Sequence, residues 1–76
     1  MPNRNLNERK DVQKKFDEAS NTVTYIGEAE SGSASSDPVW RIKKFTVSGS
    51  ITSLQWASGN TDYDKIWDNR TSYTYS

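Results

Sequence analysis

The chain contains no cysteine and no histidine. Their absence excludes disulfide staples, thiol nucleophiles, Cys/His zinc sites and any imidazole acting as acid, base or switch near neutral pH. Neither sign of charge is in excess, because 10 Lys and Arg face 10 Asp and Glu. A strong basic or acidic footprint for nucleic acid is therefore missing. Long apolar runs are missing too. The longest is two residues, far short of a membrane span, and the opening MPNRNLNERK has no hydrophobic stretch of the kind a secretory leader needs. These absences lead to the expectation of a protein without a membrane role, made and kept in a cytoplasm-like compartment.

What is present is a chain of 76 residues, 32% hydrophobic, with a mean hydropathy of -0.97. That size sets one small domain. At roughly 1.5 kcal/mol of ordering entropy per residue against about 25 cal/mol per Å² of apolar burial, such a domain breaks even at best. Small domains near this limit borrow stability from disulfides, metals or partners. Disulfides are excluded here, so a partner or self-association is the expectation. The bulky apolar residues are also unevenly placed: before Asn21 only Met1, Leu6, Val12 and Phe16 occur, and nearly all the β-forming ones follow.

Residues 3–20 are rich in Glu, Lys, Arg and Gln and free of Gly and Pro, which predicts a helix from about Asn5 to Ala19. Its apolar face is thin, with Val12 and Phe16 four apart and Leu6 off that stripe, so the segment reads as a helical or extended arm over residues 1–20 that orders against a neighbour. From residue 21 to 76 the pattern is that of a small β domain. Thr22 to Ala29 alternates with period two, SGSASSDP over residues 31–38 is a flexible loop, and Val39 to Val47 forms a second strand. In that strand Trp40 and Ile42 share one face while Phe45 and Val47 share the other, which predicts a bulge near Lys43-Lys44. Ser48-Gly49-Ser50 turns into a third strand, Ile51 to Ala57, completing a hairpin. Tyr63, Ile66 and Trp67 recur at helical spacing for one turn, and Ser72 to Ser76 reads as a last strand along an open sheet edge. The fold class is mainly β: a small antiparallel sheet or sandwich of about four strands.

Three constellations carry possible chemistry. Asn60, Asp62, Asp64 and Asp68 place oxygen ligands at alternate loop positions, as calcium requires, but Lys65 stands where the calcium loop needs Gly and Thr71 where it needs a bidentate Glu. A solvated turn is the simpler reading, and no metal or cofactor is expected. Arg41, Lys43 and Lys44 between Trp40 and Phe45 have the basic-aromatic character of a single-stranded nucleic-acid surface, against the alternative of an edge strand protected by lysines with Glu28 and Glu30 neutralising it. The aromatics could instead form a sugar-stacking platform or a protein interface. Trp40 and Trp56 are assigned to the core and Trp67 to a site beneath its own helical turn. The interface candidates are Val12 and Phe16 in the arm and Tyr63, Trp67, Arg70, Tyr73 and Tyr75 in the β domain. So short a folded portion leaves little wall for a substrate cleft, so the chain is read as no enzyme.

The succession Tyr25-Ile26-Gly27-Glu28-Ala29, Trp40-Arg41-Ile42-Lys43, Trp56-Ala57-Ser58-Gly59-Asn60 and Ile66-Trp67-Asp68-Asn69-Arg70 followed by Tyr73 resembles a group of small structural proteins of tailed bacteriophages. The resemblance covers residues 22–76. It implies a non-enzymatic virion component present in many copies, made in the host bacterial cytoplasm, with other virion proteins of a capsid, neck or tail lattice as partners. An accessory or decoration role follows, with a homo-oligomer or many copies per particle, and neither membrane nor nucleic acid as partner. A tail-associated module binding host-surface carbohydrate is the alternative, and a single-stranded nucleic-acid binder is the second.

Overall fold

A computed structural model describes residues 11–76. Five strands, β1 (Val12–Glu18), β2 (Val23–Glu30), β3 (Pro38–Ser48), β4 (Ile51–Trp56) and β5 (Lys65–Ile66), precede a 3-10 helix over Trp67–Ser72. The first four form an antiparallel sheet in chain order, and β5 pairs with the opening of β3. The mainly β class expected from the sequence is what the chain adopts.

The helix expected from Asn5 to Ala19 gives way to strand over Val12–Glu18, and residues 1–10 of the expected arm lie outside the described residues. β1 runs antiparallel to β2 without interruption, from Val12 opposite Glu30 to Glu18 opposite Thr24. The physical reason lies in the spacing. A separation of four is even, so Val12 and Phe16 share a strand face as readily as a helix face. Pairing then adds contacts that an isolated helix lacks: Phe16 faces Ile26, and Lys14 faces Glu28. Residues 12–18 thus belong to the same sheet as the β domain.

The sheet is regular through Lys43 and Lys44, where β3 pairs with β2 and β4 in unbroken register; the one irregularity in β3 falls between Pro38 and Trp40. The switch of apolar positions along β3 therefore marks two faces in use, not a bulge. Nor is β3 an edge strand, since it lies between β2 and β4. Its connection to β4 is a two-residue turn in which Gly49 takes a φ of 62°, the left-handed value that such hairpins need at their first position.

Register assigns the faces. On one, Trp40 and Ile42 of β3 align with Gly27 and Ala29 of β2 and with Ala57 beyond β4; Ala29, Trp40, Ile42 and Ala57, with Trp67, make the core. Tyr25, Tyr73 and Tyr75 pack around it. The segment from β5 to the C-terminus covers this face. Gly27 is what lets it approach, because a Cβ there would lie 2.7 Å from Trp67 Cζ3 and 3.1 Å from Trp40 Cε3. Trp40 and Trp67 stack in a tilted pair with centroids 5.9 Å apart. The Trp40 indole donates to the Ala34 carbonyl at 2.9 Å, and Asp37 accepts from the Ala34 amide at 2.9 Å, so the serine-rich loop expected to be flexible is tied to the core.

Two local expectations change. The helical turn begins at Trp67, not Tyr63, because Lys65–Ile66 is drawn into β5 against β3. The last residues make no full strand; Tyr75 forms a single antiparallel bridge with Ala57, flanked by hydrogen bonds between Trp56 and Ser76. Trp56 is half-buried on the opposite face and so leaves the core assigned to it.

Candidate functional site: the uncovered sheet face

The second face of the sheet has no layer over it among the described residues. Register places its side chains in rows across the strands. Lys14, Glu28 and Arg41 make a charged row; Phe16, Ile26, Lys43 and Trp56 the next; Glu18, Thr24, Phe45 and Leu54 a third. Phe16 is 64% exposed and Leu54 47%. Val12, Val39 and Val47, also exposed, extend the same face toward both strand ends. The apolar side chains form a band that crosses the whole sheet from β1 to β4.

The charged row is neutralised from within. Glu28 is buried and accepts from Lys14 Nζ at 3.1 Å and from Arg41 Nε at 3.1 Å, with a second, close contact to the Arg41 guanidinium. Hydrogen bonding by Arg41 holds the Glu28 carboxyl below its ordinary value, against the opposing effect of burial, with Lys14 adding to the lowering. The same hydrogen bond raises Arg41. Arg41 also lies 4.9 Å over the Tyr63 ring and 5.4 Å over Trp56, where Lys43 Nζ approaches at 5.4 Å. At the end of the face, Val12, Ala29, Glu30, Ser33, Val39 and Tyr63 line a half-open hollow of about 570 Å³.

The structure divides the interface candidates into two groups. Val12, Phe16 and Tyr63 are exposed on or beside this face. Trp67, Arg70, Tyr73 and Tyr75 serve the covering segment on the other side. Trp67 is 6% exposed, Arg70 donates to Asp17 Oδ2 at 2.9 Å, Tyr73 Oη accepts from the Ile66 amide at 2.8 Å, and Tyr75 Oη donates to the Arg70 carbonyl at 2.7 Å. Burial raises the Tyr75 phenol above its ordinary value. Ile26, Phe45, Leu54 and Trp56 belong to the face and were not among the candidates. Their signal in the sequence is the change of phase along β3, the same pattern that a bulge would produce.

The basic cluster is split by the strand's alternation. Arg41 and Lys43 project to the uncovered face, whereas Lys44 Nζ lies 5.1 Å over the Tyr75 ring on the covered one. In the loop with calcium-like spacing, Asn60 Oδ1 accepts from the Asp62 amide at 3.1 Å and from Lys65 Nζ at 2.8 Å, and Lys65, buried, also pairs with Asp64. An ammonium group thus occupies the oxygens that a cation would need. No helix among the described residues is long and apolar enough to cross a membrane.

Comparison with protein-family models, curated proteins and solved structures found no match for the chain.

Proposed function

We propose that the chain is a non-enzymatic structural component of a tailed-bacteriophage virion, an accessory or decoration protein that assembles on and reinforces a larger lattice of capsid, neck or tail. The uncovered sheet face carries this reading. A four-stranded layer with one apolar face unburied has the form of half a domain, and exposed apolar patches of this breadth mark protein contact surfaces. The resemblance of the sequence blocks over residues 22–76 to small structural proteins of tailed bacteriophages suggests the class of assembly. Thermodynamics supports it: a domain with five buried apolar residues among those described gains folding stability by mass action when a partner binds only its folded form.

The alternatives lack a comparable observation. Arg41 and Lys14 are engaged with Glu28, so two of the three cations on the uncovered face are already neutralised by a carboxylate rather than offered to phosphates. Arg41 lies over one face of the Tyr63 ring, and Arg41 and Lys43 approach Trp56, so these rings are already engaged with cations rather than presented together as an open stacking platform.

Co-sedimentation with purified particles in a density gradient tests the proposal. The wild-type chain is expected in the particle fraction at fixed stoichiometry. A chain that stays wholly in the soluble fraction of infected cells overturns it.

A further inference from the structure

We infer that the uncovered face is completed by the same face of a second copy, so that the building unit is a two-layer β sandwich made from two chains. This rests on the reading of the face as a protein contact surface and names its occupant.

Geometry comes first. The apolar band runs the full width of the sheet, Phe16 on β1, Ile26 on β2, Phe45 on β3, and Leu54 with Trp56 on β4. A two-fold axis lying along such a band, between two opposed sheets, maps band onto band. That is the arrangement of an isologous dimer, in which both copies use the same patch. Two twisted sheets facing one another about 10 Å apart is also the common way a single β layer buries its second side.

Charge points the same way. The face carries Lys14, Arg41 and Lys43 against Glu18, Glu28 and Glu30, three of each sign, and its most buried charge is already paired within the chain. A surface neutral in itself meets its own copy without net repulsion. It offers no excess charge to steer it onto a strongly charged partner.

Area is sufficient. With an aromatic side chain presenting on the order of 150–250 Å² and aliphatic ones less, the exposed fractions of Phe16, Leu54, Val12, Val39, Val47 and Tyr63 add to at most roughly 500 Å² per copy when all are covered. Two faces then bury about 1,000 Å², the lower bound for a specific interface.

Light scattering after size exclusion, across a series from micromolar to millimolar, tests the dimer, with particle co-sedimentation run on the same samples. Wild type is expected to reach twice the monomer mass. Phe16→Glu and Leu54→Glu, both at sites exposed in the single chain, should weaken dimerisation at least tenfold with the far-ultraviolet dichroism unchanged. Ile51→Glu, equally exposed but on the opposite face, should leave it intact. A wild-type monomer throughout the series overturns the inference, as does a dimer sensitive to Ile51→Glu and indifferent to the other two. A monomer that still joins particles leaves the proposed function standing with a lattice protein as occupant; a dimer that never joins them removes the function and keeps the sandwich.

Discussion

Gly27 sits where the covering segment comes closest to the sheet, with the Trp67 ring against its Cα. Adding one methyl there meets two fixed indoles rather than a flexible chain end, so Gly27→Ala should destabilise by about 1–3 kcal/mol, the usual range for overpacking. Urea denaturation followed by tryptophan fluorescence measures it; an unchanged midpoint would show that Trp67 can withdraw freely. The neighbouring Glu28 sets an acid limit. Since Arg41 keeps its carboxyl below the ordinary range, the folded chain binds that proton less tightly than the unfolded chain. The resulting stability is fully present above the unfolded pKa of about 4.3 and is lost as pH falls through the lower folded value. Glu28→Gln should lower stability at pH 7 and flatten its decline in acid, read as unfolding free energy against pH.

At the scale of elements, the C-terminal segment acts as a cover held by a few polar ties more than by regular structure. Tyr73 accepts the Ile66 amide where β5 meets the 3-10 helix, so Tyr73→Phe leaves that amide without its partner at an expected loss of about 1–3 kcal/mol. Denaturation midpoints of the variant and wild type decide it. The same elements show what the sequence could tell. β2, β3 and the hairpin into β4 were legible because alternation and turn residues agree there. β1 was not, because VQKKFDE is a good helix former and its strand state rests on pairing with β2, whose residues lie further along the chain than any helical contact. Trp56 was misplaced for a related reason. Its bulk suits a core, but its register opposite Lys43 puts it on the uncovered side. Most of the face escaped notice because its members come from four strands and are neighbours only once the register is known.

For the whole molecule, balanced charge and an apolar band make one further expectation. Any complex formed through the uncovered face should persist at about 1 M salt, where screening reduces electrostatic reach to about 3 Å. Complex mass by light scattering at low and high salt measures this, and dissociation at high salt would assign the contact to ion pairs instead. The two sides of the sheet also differ in how they can be observed. Trp40 and Trp67, held 5.9 Å apart with their planes tilted by 39°, meet the conditions for exciton coupling between indole transitions. Circular dichroism of this chain should therefore carry an aromatic couplet superimposed on the β signal. Its disappearance on gentle heating, with the amide band still in place, would report the cover peeling from an intact sheet without any added label.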